Sequence, residues 1–345
     1  MKVSPGLKIL SWLPAALTIL SAGGCSDFKL EKPRAFGREK EILVICSDTV
    51  WKKTEKDMRR LIEVPVHAVR WEPIFEIAQA EPEEVSYYKE WDKIILLESL
   101  EHMSLLSDVV DKEMLEKISQ GQGLFFTNFD IWARGQRVAG LAAPTDDQLL
   151  PLVRQHGDRI FKDFLRQLEE QEKVRMFYAG KNFNLVDSLA ECCGFSLLLP
   201  KVYERIRIDS LPPDQMLFVH TDPVRSIFIS WEEVDDFPEP DYSKESLAAR
   251  RDSLLRDVYP GMRTHPERVD TSTVTVQGLE RLRIYGTWEN LEEVSGGIFI
   301  AQIIEVPRQR RRYTIDCRLF SPNPRLNKYR YIFQLDRIMD SFKVL

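Results

Sequence analysis

Apolar and polar positions divide the chain sharply at its start. Lys2 and Lys8 give a basic opening, residues 9–20 (ILSWLPAALTIL) form an apolar run, and Ser21-Ala22-Gly23-Gly24 follows. A positive start, a short apolar core and small residues before a boundary form the pattern of a secretory leader, so residues 1–24 read as a signal peptide. The run is too short to span a bilayer, which takes about 20 apolar residues. Residues 25–40 are polar, broken by Pro33 and Gly37, and read as a tether. Fully extended, residues 26–40 reach about 50 Å at about 3.3 Å per residue.

Beyond residue 40 the pattern becomes that of a folded body. Residues 41–47 are a short apolar run ending at a turn, a buried strand, and 51–64 carry Trp51, Met58, Leu61 and Ile62 among charges, an amphipathic helix stopped by Pro65. Further strands are predicted at 74–78, 93–97 and 124–126, a helix at 105–118, and a strand or hairpin at 131–138 bending near Gly135. Residues 146–171 form the longest predicted helix, with Leu149, Val153, Ile160, Phe164 and Leu168 on its apolar stripe. After a break near Gly180, a short helix stops at Gly194. Strands follow at 196–199, 202–208, 216–220 and 226–231, a helix capped by Ser243, strands at 271–276, 279–288, 297–306 and 313–320, and a closing helix over 329–344. This order predicts an α+β protein of two related α/β sandwich halves, each a mainly antiparallel sheet with packed helices, over residues 41–178 and 179–345.

Composition narrows the function classes. Apolar residues make up 43% of the chain, which excludes wholesale disorder. The formal charge is −6, and it becomes more negative once Lys2 and Lys8 leave with residues 1–24. An acidic body gives no electrostatic case for a nucleic-acid partner. Of the five cysteines, Cys46, Cys192, Cys193 and Cys317 have no disulfide-scaffold spacing and read as buried thiols, with a Cys46–Cys317 or Cys192–Cys317 bridge as alternatives.

Two resemblances add to this reading. Cys25 directly after Ala22-Gly23-Gly24 resembles the bacterial lipobox, with Ala22 where Leu is usual. The resemblance implies cleavage before Cys25, acylation of its thiol and a membrane partner through that lipid; Ser26 implies outer-membrane sorting, facing the periplasm. The stretches EILVICSD (41–48), DIWARGQRVAGLAAP (130–144), Tyr285-Gly286-Thr287-Trp288-Glu289, Gly296-Gly297 and the closing helix carry a second resemblance. Through them the sequence, across most of the mature chain, resembles lipoproteins of the domain of unknown function 4837. The element order of the second half resembles the PsbP fold. Neither resemblance supplies catalytic residues.

The search for chemistry yields few candidates. His67, His102, His156, His220 and His265 lack metal-pair spacing, and His220-Thr221-Asp222 reads as a strand-end turn. No nucleophile elbow or phosphate loop occurs, and Gly296-Gly297 read as turn or close-packing glycines. No metal or cofactor is expected. Glu232, Glu233, Asp235, Asp236 and Glu239 form an acidic cluster read as a solvated loop. Arg308, Arg310, Arg311 and Arg312 form a basic one, suited to an anionic surface or glycan or, more simply, to a charged strand edge. Trp132, Arg134, Arg283, Tyr285, Trp288 and Glu289 combine aromatic faces with guanidinium and carboxylate groups and are the candidate ligand groove, against half-buried sheet positions as the simpler reading. The expectation is a lipid-anchored envelope protein without enzymatic activity, binding an envelope protein or glycan. The alternatives are an envelope hydrolase with an unrecognised site and a low-affinity ligand carrier.

Overall fold

The first half alternates strand and helix. Strand β1 (Glu41–Ile45) leads into helix α1 (Asp48–Ile62), whose first turn is closed by the Val50 N–H donating to the Ser47 hydroxyl. There follow β2 (Glu76–Ala80), α2 (Val85–Tyr88), β3 (Lys93–Ser99), α3 (Leu106–Val109), α4 (Lys112–Ser119), β4 (Leu124–Phe129), β5 (Arg137–Ala143) and α5 (Leu149–Arg175). The computed structural model describes residues 31–66, 70–102, 105–237 and 241–345, and residues 33–345 form one unit. The expected leader, Cys25, His67 and Glu239 lie outside the described residues.

The sheet order is β2-β1-β3-β5-β4. Strand β1 runs parallel to β2 and β3, β3 runs parallel to β5, and β4 is antiparallel to β5. The expected mainly antiparallel sheet is thus corrected for this half. Strands β1, β2 and β3 follow one another through α1 and α2 and return in the same direction, because each crossover carries the chain back to the starting edge; β4, which also follows helices, runs opposite to β3. The inner strands are covered on both faces, and every residue of β3 is buried. Val44, Ile95 and Leu141 pack on one face with Met58 of α1 and Phe164 of α5. Ile45, Leu96 and Val138 pack on the other with Leu106 of α3 and Ile118 of α4.

The second half is antiparallel, as expected. Its elements are α6 (Phe183–Cys193), β6 (Phe195–Ser196), β7 (Glu204–Ile206), β8 (Gln215–Thr221), β9 (Val224–Glu233), α7 (Lys244–Leu255), β10 (Met262–Thr264), β11 (Asp270–Val276), β12 (Leu279–Asn290), β13 (Ser295–Val306), β14 (Arg311–Phe320), α8 (Lys328–Asp340) and β15 (Lys343–Val344). The large sheet has the order β10-β12-β13-β14-β9-β8-β7, with β11 also on β12. On one face Ile229, Ile300 and Ile315 meet Leu189 of α6 and Leu335 and Met339 of α8. On the other, Phe228, Ile284 and Phe299 meet Leu247 and Leu255 of α7. Gly194 ends α6 at φ +73°, a left-handed cap that glycine adopts without a Cβ penalty. Gly297 serves close packing, since a Cβ there would lie 2.2 Å from the Leu319 carbonyl oxygen. Both halves are sheets with helices, yet they differ in strand order and direction, against the expected relatedness of the two.

A polar joint links the halves. Glu172 of α5, fully buried, accepts from Arg330 Nε at 2.7 Å and from Gln334 Nε2 at 2.7 Å, both on α8. Arg330 also pairs with Glu39. Tyr329 OH donates to Glu169 at 2.6 Å, and Asn327 Nδ2 to the Ile74 carbonyl at 3.1 Å. The segment before β1 is tied down too, with bridges from Arg34 to Arg134 and from Phe36 to Trp91. Residues 33–40, expected to belong to a tether, are therefore part of the folded unit. Among the described residues no helix is long and apolar enough to cross a membrane.

Candidate ligand cleft

The structure does not assemble the six-residue groove. Trp132 and Arg134 lie between β4 and β5 in the first half, Trp132 packed against the β1–β3–β5 core and Arg134 exposed. Arg283 and Tyr285 lie on the β12 face that α8 covers. Arg283 pairs with Asp340 and sits 3.6 Å from Asp336, and Tyr285 OH donates to Asp336 at 3.3 Å. Strand alternation puts Trp288 on the opposite face, buried, with its indole N–H donating to the Ile298 carbonyl at 3.1 Å and Arg318 stacked 4.7 Å from its ring. Glu289 meets His265 Nε2 at 3.3 Å. Alternation and the α8 cover correct the expectation that these residues share one groove.

Asp336 is the titrating member of this set. Burial pushes its carboxyl up to about 6, overriding the opposing attraction of Arg283. A carboxyl whose folded pKa exceeds its unfolded value makes the fold bind more protons, so its contribution to stability falls as pH rises from about 4 to about 6. Urea unfolding between pH 4 and pH 7 is expected to show a downward trend that Asp336→Asn flattens; an identical slope in the variant contradicts the assignment.

Ion pairs join part of the two charged clusters. Strand β14 lies inside the sheet between β13 and β9, with Arg312 opposite Glu232 and Arg311 opposite Glu233. Arg312 reaches Glu232 at 3.1 Å and Glu305 at 2.8 Å, and Arg310 pairs with Asp235. Arg311 and Arg312 are thus not on a strand edge, and Glu232 and Asp235 are paired rather than purely solvated.

Cys192 and Cys193 form a disulfide, which corrects the reading of four buried thiols; Cys46 and Cys317 are buried and free. Burial pushes the Cys46 thiol up to about 12, so it is no nucleophile near neutrality. At the end of β3, Ser99 Oγ donates to Asp146 Oδ1 at 2.7 Å, and His102 Nε2 lies 3.6 Å from Asp146 Oδ2. This places an aspartate, not the histidine, against the serine. Nucleophilic activation needs the base on the hydroxyl, so the trio is not arranged as a catalytic triad. His156 stacks on Phe125 and His220 lies edge-on to Tyr203, and burial lowers the pKa of both. Among the described residues no group of three metal-ligating side chains occurs.

Polar groups converge instead beneath α7. A cleft of about 430 Å³ opens between this helix and the outer face of the second sheet. The sheet side supplies Asp214, Gln215, Ser230, Glu232, Arg312 and Thr314, and the helix supplies Arg250, Ser253 and Leu254. Arg250 donates to Glu232 at 2.6 Å, extending the Arg312–Glu305 chain along the rim. Next to the cleft, and sharing Arg250, Leu254 and Thr314 with it, lies a small cavity of about 20 Å³, room for roughly one water. Its polar wall is the buried pair Arg251–Asp316, closed by two hydrogen bonds at 2.7 and 3.1 Å, with the guanidinium 3.8 Å over the Phe299 ring. Arg251 also donates to Thr264 Oγ1 at 2.9 Å, and Asp252 accepts from Thr264 Oγ1 at 2.6 Å. Sequence reading passed over this site. Its one signal was Arg251 on the stripe of Leu247 and Leu254–Leu255, since a guanidinium on a buried helix face requires a buried acceptor.

Comparison with known proteins fits this division into halves. Residues 35–177 match the family described as Domain of unknown function (DUF8532), and residues 184–341 match Domain of unknown function (DUF4837). The expected DUF4837 resemblance is present, but over the second half; the 41–48 and 130–144 stretches fall in the DUF8532 match. No curated protein matches the chain. The solved structures it is similar to include cyanobacterial PsbP (CyanoP) from Synechocystis sp. PCC 6803, at 13% identity and a TM-score of 0.33 over 44% of this chain and 87% of that one. Another is the Ran-binding protein Mog1p of Saccharomyces cerevisiae, at 13% identity and 0.31 over 44% and 90%. A third is LpqN of Mycobacterium tuberculosis, described as involved in cell envelope biogenesis, at 13% and 0.27 over 44% and 82%. The chain joins two regions of unknown activity, the first similar to DUF8532 and the second to DUF4837.

Proposed function

We propose that this is a lipid-anchored cell-envelope protein, held at Cys25 in the outer membrane and facing the periplasm, that binds a short envelope glycan in the α7 cleft as a non-enzymatic binding or assembly module. The observation that carries the binding reading is the convergence of hydroxyl, amide, carboxylate and guanidinium groups in one cleft of about 430 Å³. That volume falls at the small end of ligand sites, and the mixed donors and acceptors match a neutral, hydroxyl-rich molecule better than a strongly charged one. The rim charges are already paired with one another, so net charge contributes little to attraction. The leader-like residues 1–24 and the Ala22-Gly23-Gly24-Cys25 boundary support the anchor.

Thermal shift against a panel of envelope glycan fragments tests the binding. A ligand at about 100 times its Kd stabilises the fold by about 2.7 kcal/mol. Ser253→Trp, on the exposed side of α7 at the cleft mouth, is expected to leave the unliganded Tm unchanged and abolish the shift. A shift that survives this substitution places the ligand elsewhere, and no shift with any fragment sinks the glycan reading.

A further inference from the structure

Among the described residues, backbone hydrogen bonds to the body begin at Pro33, and the length of chain from Cys25 to that point bounds how far the body stands from an anchor at Cys25. Arg134 N donates to the Pro33 carbonyl at 2.8 Å, Ala35 N to the Arg134 carbonyl at 2.8 Å, and Phe36 N to the Glu90 carbonyl at 2.8 Å, so the chain is fastened to the body from Pro33 onward. From Cys25 to Pro33 the backbone spans at most about 28 Å when fully extended. A folded body of this size has a radius of gyration of about 20 Å. If Cys25 carries lipid, the surface around Pro33 has no room to stand a full body-width clear of the bilayer.

That surface is unusual in what it exposes. A hollow of about 820 Å³ beside residues 34–37 is lined by Phe36, Phe129, Val174 and Tyr178, together with Arg34 and Arg134. The four apolar side chains are 55%, 60%, 78% and 94% exposed. Exposed rings and an aliphatic side chain among arginines match the boundary of headgroup and acyl chain, where rings insert and guanidinium groups reach phosphate. Asp130 and Glu170 line the hollow as well, so apolar insertion rather than net charge supplies most of the attraction.

We propose that this face is a membrane-contact surface, with Phe36, Phe129, Val174 and Tyr178 seated in the headgroup layer of a phospholipid bilayer beside the anchor. The proposal rests on the lipid-anchor reading above. It is independent of the α7 cleft, which shares none of these residues.

The test uses the full lipidated protein, reconstituted in phosphatidylethanolamine–phosphatidylglycerol vesicles bearing a nitroxide on the headgroup. Tyr178→Cys supplies a fluorophore site, since the free Cys46 and Cys317 are buried and Cys192 is bonded to Cys193. Strong quenching at residue 178 is expected, together with weak quenching of a label at the exposed Val294 between β12 and β13. Phe36→Ser with Phe129→Ser is expected to reduce the quenching at 178 about tenfold, the loss of two ring insertions. Equal quenching at the two sites, or quenching at 178 unmoved by the double substitution, overturns the proposal. Mass analysis of the same preparation separates the two readings. Without acyl on Cys25 the anchor reading and this one fall together, whereas acylated Cys25 with unselective quenching sinks this one alone.

Discussion

Asp316→Leu is expected to destabilise the protein by about 3–5 kcal/mol in urea unfolding, because it leaves the Arg251 guanidinium buried without its carboxylate. The side chains are 6% and 3% exposed, so water offers no replacement partner. Thr264 and the Phe299 ring remain, but neither neutralises the charge. The double variant Arg251→Met with Asp316→Leu is expected to be more stable than Asp316→Leu alone, since an apolar pair restores matched burial. A cost below about 1 kcal/mol for Asp316→Leu would mean that the pair is hydrated and that α7 is not fixed by it. Because this pair underlies the α7 cleft, any loosening of α7 should appear in ligand binding as well as in stability.

The second large effect is expected at the joint. Glu172→Leu removes the acceptor shared by Arg330 and Gln334, and the expected cost is about 3 kcal/mol, at the lower end for a broken buried pair because Arg330 keeps Glu39. Unfolding followed by Trp fluorescence and by far-ultraviolet circular dichroism should show a single transition in the wild type. In Glu172→Leu the two probes are expected to separate, since weakening the α5–α8 contact uncouples the sheets on either side of it. Coincident transitions and an unchanged midpoint contradict a role for this network in holding the halves together.

Much of this architecture was legible in the residues. The stripe of Leu149, Val153, Ile160, Phe164 and Leu168 located α5, Ser243 marked the start of α7, and Gly194 marked the end of α6. Strand direction in the first half was misread as antiparallel, although the sequence carries the signal for the parallel pairing observed. The apolar runs of β1 and β3 are buried on both faces and alternate with helices, which is the mark of parallel pairing. The candidate groove failed for a different reason. Strand alternation does place Arg283 and Tyr285 together, but sequence spacing does not reveal that Asp336 and Asp340 of a helix some 50 residues on cover that face. The α7 cleft depends on residues from β8, β9, β14 and a single helix, and the pairing of β9 with β14 decides which of them meet. Register between strands 80 residues apart is a property of the folded sheet. The same pairing joined Arg312 of one charge cluster to Glu232 of the other.

The N-terminus of the protein as it exists in the cell tests the account most directly. Mass spectrometry of the first tryptic peptide from native membranes, repeated for Cys25→Ser, is expected to find a chain beginning at Cys25 with acyl mass on it, and neither the cleavage nor the mass in the variant. A chain beginning at Met1, with Cys25 unmodified, contradicts the anchor and with it the membrane-contact face.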